Sequence, residues 1–300
     1  MVREEPGTLN EFPNIDRALA EATERLGGVS DSPRLDAELL LALALDVPRS
    51  YLFAHPEDQL DPDAVKRFTN NVEKRCEGMP LAYVTGEKEF WSMALVVSRE
   101  TLVPRPDTEI LVEQALQCIP RKANWRVLDL GTGSGAIALA IAMERPLCTV
   151  IATDISLSTL CVARENARRL SIPNVDFVCG SWCAPLAEDA FDMVVSNPPY
   201  VADSDPHLAA LSHEPRRALA AGPDGLDAIR IISREARRRL KAGGSLLLEH
   251  GYSQADAVAA LLAAEGWTVT GCARDLGGLP RVTIAENQPG HSYILPTPGN

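Results

Sequence analysis

The hydrophobic rhythm of the chain changes twice along its length. From Ile15 to Leu26 apolar residues recur at helical spacing, and the run stops at Gly27-Gly28, a common helix ending. Ser32 before Pro33 reads as a start signal, a capping hydroxyl with proline at the first helical position, and Leu35 to Leu45 carries a broad apolar face. Asp61-Pro62 opens a third helix with Val65, Phe68, Val72 and Cys76 on one stripe. No strand-like alternation intervenes, so residues 1–85 predict a small helical bundle. The pattern then shifts between Gly78 and Pro106. Phe90 to Val97 is strand-like and aromatic, and Pro104 and Pro106 break helices, which predicts an extended or hairpin connector over residues 86–108.

From Arg126 onward short apolar runs alternate with helical stretches. Strands are expected at Arg126–Leu130, Thr149–Asp154, Val175–Cys179, Phe191–Ser196, Ser245–Glu249, Trp267–Ala273 and Arg281–Ala285. Helices are expected at Ser134–Glu144, Ser158–Leu170, Leu226–Leu240 and Gln254–Glu265, the last with Ser253 and Asp256 as a capping box. Such alternation means a mostly parallel α/β sheet of seven strands covered on both faces, in a domain spanning residues 109–286. Ligands of such sheets bind beyond the carboxyl ends of the strands. The remainder, 287–300, holds three prolines and two glycines and is expected to be a flexible tail.

Composition changes this picture little. At 300 residues, 46% hydrophobic and 23% charged, the chain suits a two-domain globular protein. The net charge of −12 argues against a large phosphate-tracking surface, so no direct nucleic-acid partner is expected. The basic run Arg234 to Lys241 reads as one solvated helix face. Seven scattered cysteines form no C-x-x-C pair and are expected to be buried, reduced thiols, with no metal site at Cys179 and Cys183. The start, Met1 to Leu9, has no signal-peptide pattern and no apolar run is long enough to span a bilayer, so a cytoplasmic location without membrane contact is expected.

The candidate chemistry lies where the sheet predicts it. Strand Arg126–Leu130 runs into Asp129-Leu130-Gly131-Thr132-Gly133-Ser134-Gly135. Glycines there let the backbone turn sharply and approach a ligand, and the following helix offers unpaired N–H groups. The spacing acid-x-G-x-G-x-G resembles the first motif of class I S-adenosylmethionine-dependent methyltransferases, a Rossmann-like fold. Asp154, nineteen residues after Gly135, ends a strand where an acid can accept bonds from both ribose hydroxyls; the plainer reading is a helix cap before Ser156. Trp182, after Gly180-Ser181, is placed to stack on adenine or to be a core aromatic. Strand Phe191–Ser196 ends in Asn197-Pro198-Pro199-Tyr200, whose prolines make a stiff turn that holds its flanking polar groups. A planar amide or amine is a poor nucleophile because its lone pair is delocalised. If the Asn197 side-chain oxygen and the Pro198 carbonyl accept its two N–H bonds, the lone pair can be aimed at a methyl donor, with Tyr200 stacking on the planar group. Catalysis would be orientation and electrostatics.

On these residues the chain resembles the HemK/PrmC family, the peptide chain release factor glutamine methyltransferases, over about residues 14 to 285. The likeness is carried by Pro80-Leu81-Ala82-Tyr83, Glu89-Phe90-Trp91, Pro104 to Glu109, Asp129 to Gly135, Ser196 to Val201, Leu248-Glu249-His250-Gly251 and Arg281-Val282-Thr283. The resemblance implies methylation of the side-chain amide of the glutamine in the Gly-Gly-Gln loop of bacterial class-1 release factors, with S-adenosyl-L-methionine as donor and S-adenosyl-L-homocysteine as product. It further implies cofactor contacts from Gly131, Thr132, Gly133, Ser134, Gly135, Asp154, Trp182 and Asn197. Substrate contacts are implied at Asn197, Pro198, Pro199 and Tyr200, and a grip on the release factor from the N-terminal helices. Ser181 departs from the acid that family members often carry before the aromatic. Two other activities use related chemistry: a ribosomal-protein glutamine methyltransferase, disfavoured by the Pro104–Glu109 segment and the N-terminal helices, and an adenine-N6 nucleic-acid methyltransferase, disfavoured by acidity and the lack of a recognition insert. A non-enzymatic binding module is disfavoured because both turns are intact.

Overall fold

Asn14 starts the first helix by accepting a hydrogen bond from the Arg17 amide at 2.9 Å on its side chain, the usual device for a helix N-terminus. In the computed structural model residues 12–287 are described, and the chain divides into two units between Gly86 and Glu87. The first unit holds α1 (Ile15–Leu26), α2 (Pro33–Leu45), α3 (Arg49–Ala54), α4 (Pro62–Cys76) and α5 (Leu81–Thr85). Ile15, Leu19, Leu26, Leu40, Leu41, Leu52, Phe68 and Val72 form its core. Asp61 caps α4 through the Ala64 amide at 2.8 Å. Pro33 sits at the start of α2 as expected, but the Ser32 hydroxyl makes no capping bond. Helix α5 closes the stretch, residues 1–85, expected to be helical. Arg75 of α4 binds Asp36 of α2 at 2.8 Å with both side chains mostly shielded, which fixes the two helices against each other.

The second unit opens with a hairpin, β1 (Glu87–Phe90) and β2 (Met93–Val96), paired antiparallel. Its two-residue turn, Trp91-Ser92, has φ of 52° and 57°, the left-handed pair that suits the strand twist. Pro106–Thr108 then forms a 3₁₀ turn that runs into α6 (Glu109–Cys118). No helix was expected there. Pro106 is tolerated because it sits at the first turn, where its missing N–H has no bond to lose. The rest is β3 (Arg126–Leu130), α7 (Ala136–Glu144), β4 (Thr149–Asp154), α8 (Leu157–Arg169), β5 (Val175–Cys179), β6 (Phe191–Ser196), α9 (His207–Ala210), α10 (Asp227–Arg239), β7 (Leu240–Glu249), α11 (Ala255–Ala264), β8 (Thr268–Arg274) and β9 (Pro280–Glu286).

These strands make one seven-stranded sheet in the order β5-β4-β3-β6-β7-β9-β8. Only β9 runs against the others, antiparallel to β7 and to β8. Successive residues feed opposite faces: Val127, Met193 and Val195 join the cluster with Leu111, Leu139 and Ile141, whereas Leu128, Leu130 and Val194 join the one with Ile229, Ile232 and Leu262. The chain winds outward from β3 through β4 and β5, then returns to the other side of β3 with β6. The order therefore reverses between β3 and β6, where Leu130 is in register with Ser196.

Three details differ from expectation. Strand β7 begins at Leu240 rather than Ser245, because Leu240 pairs with Phe191 across a register shift. The Ser253–Asp256 capping box does not form; Gln254 precedes α11 and spends its amide on the Gly251 N–H and the Tyr200 carbonyl, at 2.9 and 3.0 Å. Asn287, first residue of the expected loose tail, is fastened: its side chain donates to the carbonyls of Arg237, Leu240 and Lys241. Residues 288–300 lie outside the described residues. The cysteines are also less uniform than expected, with Cys148 and Cys183 buried but Cys161, Cys179 and Cys272 exposed. No helix among the described residues is long and apolar enough to cross a membrane.

Candidate active site

The glycine turn after β3 is held by one acceptor, since the Gly131 and Thr132 amides both donate to the Thr153 carbonyl at 2.9 Å. Gly131, Gly133 and Gly135 have φ of 72°, 58° and 86°, a region where a side chain is strained. Each glycine has its own reason. A Cβ on Gly135, which precedes α7, would meet Leu139 at 3.1 Å and Ala163 at 3.3 Å; one on Gly133 would meet nothing within 4 Å. Gly135 is thus fitted to packing, and Gly133 borders open space.

That space is a cavity of about 250 Å³ at the carboxyl edge of the sheet. Of the residues singled out in the sequence, Gly131, Gly133, Asp154, Trp182, Asn197 and Pro199 line it. Thr132, Ser134, Gly135, Pro198 and Tyr200 do not. Thr132 is buried and donates its hydroxyl to Asp129 at 2.7 Å, while the Ser134 carbonyl accepts from buried Asn166 at 2.9 Å. These two brace the turn from behind.

Asp154 holds the wall in place with both oxygens: Oδ2 accepts from the Gly133 amide at 3.2 Å and Oδ1 from the Ser156 amide at 2.9 Å. Burial raises its pKa, opposed by those backbone bonds and by the Arg217 charge. Asp154 therefore both bonds the Ser156 amide ahead of α8 and faces the cavity, though the N-cap of α8 is Ser156 itself. Trp182 likewise serves two ends, packing on the core cluster of β3 and β6 while its ring edge stands 3.6 Å from where a Gly131 Cβ would be. Asp129, beneath the turn, is fully buried, and its Oδ1 has no partner. Burial pushes its carboxyl up to about 7.

The rim was not legible in the motifs. Glu100, Thr101 and Leu102, beyond the hairpin, and Arg217, beyond α9, also line it. Arg217 donates to the Glu100 carbonyl, the Ser156 hydroxyl and the Thr159 hydroxyl at 3.2 to 3.3 Å, and its guanidinium is 3.5 Å from the Glu100 carboxylate.

On the opposite wall Asn197, the first residue after β6, donates its side-chain Nδ2 to the Thr108 hydroxyl at 3.0 Å. That bond uses one of the two N–H groups and fixes the orientation of the amide, with Oδ1 as its acceptor. Tyr200 is half-buried and turns its hydroxyl to Glu249 Oε1 at 3.3 Å. The Tyr200 phenol is pushed up, by burial first and by the Glu249 charge second. His250, buried next to Glu249, is pinned between the Gly251 carbonyl and the Thr283 hydroxyl and is held below its ordinary pKa by burial. Among the described residues no cluster of acids, histidines and cysteines could hold a metal ion.

Comparison with known proteins agrees with this geometry. Residues 17–86 match the family described as the PrmC N-terminal domain, and residues 106–255 match the methyltransferase small domain. A release factor glutamine methyltransferase of Coxiella burnetii is 48% identical, covering 91% of this chain and 99% of its own. The enzymes of that name from Salmonella typhimurium and Escherichia coli are 45% and 43% identical, covering 90% and 89% of this chain and 98% and 97% of theirs. Among solved structures, a methyltransferase from Pyrococcus furiosus superposes with a TM-score of 0.52 at 19% identity, over 73% of this chain and 99% of that one, which speaks to the fold alone.

Proposed function

The chain belongs to the release factor glutamine methyltransferases, and on that premise we propose that it methylates the side-chain amide nitrogen of the glutamine in the Gly-Gly-Gln loop of class-1 release factors. The donor is S-adenosyl-L-methionine, and the enzyme acts in the cytoplasm on a protein substrate. The residues present fit that donor. A buried acceptor without a partner, Asp129 Oδ1, lies under a turn whose Gly133 leaves open space where a side chain would stand. Gly131 and Gly133 would hold the donor by close backbone approach, Asp154 by its ribose hydroxyls and Trp182 by its adenine, with Thr132, Ser134 and Gly135 keeping the turn in shape. Bound S-adenosyl-L-methionine supplies an electrophilic methyl on a sulfonium that needs no activation.

The protein's task is to make a poor nucleophile attack. The observation that carries the reading is the Asn197–Thr108 bond at the cavity wall. The bond from Nδ2 to Thr108 holds the Asn197 amide in one orientation, and its Oδ1 can accept an N–H of a glutamine amide. Pro198 and Pro199 stiffen the turn, so the second amide hydrogen meets the Pro198 carbonyl without a search. Two accepted bonds fix the amide plane, leaving the nitrogen lone pair as its one outward feature. Tyr200 stacks on that plane and excludes water. No base is needed before transfer, because methylation makes the nitrogen strongly acidic and its proton then passes to solvent water as the product leaves the site. The helices of the first unit grip the release factor.

Asn197→Ala tests the orienting role. Single-turnover methylation of release factor at saturating donor should slow by roughly 10² to 10³, as when one preorganised polar contact is lost. Donor affinity should fall far less. A rate within about threefold of the parent enzyme, well inside that range, would remove Asn197 from the chemical step.

A further inference from the structure

Pro198 and Pro199 have no N–H to donate, so the turn that ends at Tyr200 depends on its carbonyls and side chains to hold it. The Tyr200 carbonyl is held by Gln254. This residue stands at the start of α11, where its own backbone is anchored: its N–H donates to the Gly251 carbonyl and its carbonyl accepts from the Val258 N–H, both at 2.9 Å. From that fixed point its side-chain Nε2 donates to the Tyr200 carbonyl at 3.0 Å and to the Asp224 carbonyl at 3.2 Å, while Oε1 accepts from the Gly251 N–H at 2.9 Å. A carboxamide suits this set, with two N–H donors for two carbonyls and one acceptor for an N–H. The flipped amide would set its oxygen against two oxygens, so the neighbours fix its orientation.

A second contact closes on the same carbonyl. Gly225 has a φ of 74°, and a Cβ there would stand 2.2 Å from the Tyr200 oxygen and 2.9 Å from Gln254 Nε2. The peptide between Tyr200 and Val201 is held at its other polar group as well, because the Val201 N–H donates to the Leu219 carbonyl at 2.9 Å. At the tip of the side chain the Tyr200 hydroxyl donates to Glu249 Oε1 at 3.3 Å. The end of β7 and the start of α11 thus hold Tyr200 at its hydroxyl and its carbonyl.

We propose that Gln254 is a positioning residue for methyl transfer: by tying the Tyr200 carbonyl to the start of α11 it fixes where the Tyr200 ring lies against the substrate amide. The inference rests on the glutamine-methylating reading above, in which that ring stacks on the amide plane. Without the Gln254 amide, the peptide after Tyr200 is left on the Val201–Leu219 bond and can pivot about it, carrying the Tyr200 Cα and its ring. A shift of about an ångström at a reacting group is enough to slow attack by roughly 10². Gln254 does not line the donor cavity, so the loss belongs to the chemical step and not to donor binding.

Gln254→Leu removes the amide at similar size. Gln254→Glu keeps an acceptor for the Gly251 N–H but turns a carboxylate oxygen towards the Tyr200 and Asp224 carbonyls. Both full-length variants are compared with the parent in single-turnover methylation of release factor at saturating donor, with donor affinity measured alongside. Each should slow the chemical step by roughly 10- to 100-fold, the scale of a small misplacement, with donor affinity unchanged. The Glu variant separates two roles: a residue that only holds the Gly251 turn would keep the parent rate with glutamate in its place. Tyr200→Leu, which deletes the ring, should absorb the effect, so that adding Gln254→Leu to it costs little further. If Gln254→Leu does not fold, Gln254→Glu decides. Gln254→Glu turning over at the parent rate overturns the proposal. So does a Gln254→Leu loss that persists in full on the Tyr200→Leu background, or one that appears in donor affinity as much as in turnover. Parent enzyme that leaves the release factor glutamine unmethylated refutes instead the function on which the inference rests.

Discussion

Asp129 and Glu249 are the buried carboxyls that keep an oxygen without a partner among the described residues. Burial pushes each up to about 7. The sign of the linkage follows: a folded-state pKa above the unfolded value means that the fold favours the proton. The stability each contributes is fully present below the unfolded pKa, near 4, and is lost as pH rises through about 7. Donor-free enzyme should therefore lose stability across that window. Asp129→Asn, which still offers Thr132 an acceptor, should flatten part of the decline, and the two proteins should converge at the acid end. Denaturant titrations between pH 4 and 8 read this directly. Curves that stay parallel across the window would show that Asp129 is not the group being titrated.

At the scale of elements the glycine turn separates two demands that a motif runs together. Gly135→Ala puts a methyl against Leu139 and Ala163 at a φ of 86° and should cost stability by about 1–3 kcal/mol. Gly133→Ala has room and should cost less stability, but its methyl stands beside the cavity and should weaken donor binding more than Gly135→Ala does. Equal effects of both substitutions on both measurements would contradict the division. Such elements were readable in advance where the signal is local. Strands β3 to β6 have the bounds expected from short, mainly apolar runs, although each carries an aspartate. Helix α6 was missed because Pro104 and Pro106 look like breakers, although a proline at the first turn breaks nothing. The Ser32 hydroxyl and the Ser253–Asp256 pair carried capping signatures that the structure does not use. For the site, the glycine turn, Asp154, Trp182 and the Asn197–Tyr200 turn are local motifs and were visible. Glu100 and Arg217, 117 residues apart, and Thr108 and Asn197 meet only through the fold. No periodicity announces such pairs.

The whole molecule joins two independently cored units. The apolar cluster of the first is built within residues 15–84, and the two clusters of the second lie beyond residue 89. Every residue lining the cavity belongs to the second unit. An overall charge of −12 suits a protein substrate better than a phosphate backbone. This machinery is expected to deliver one methyl group to one amide. The most direct measurement is peptide mass spectrometry of a class-1 release factor incubated with the full-length protein and S-adenosyl-L-methionine. A single methyl is expected on the glutamine of the Gly-Gly-Gln loop, absent when Asn197→Ala is used for the same short time. A release factor recovered unmethylated, or methylated at a residue other than that glutamine, would contradict it.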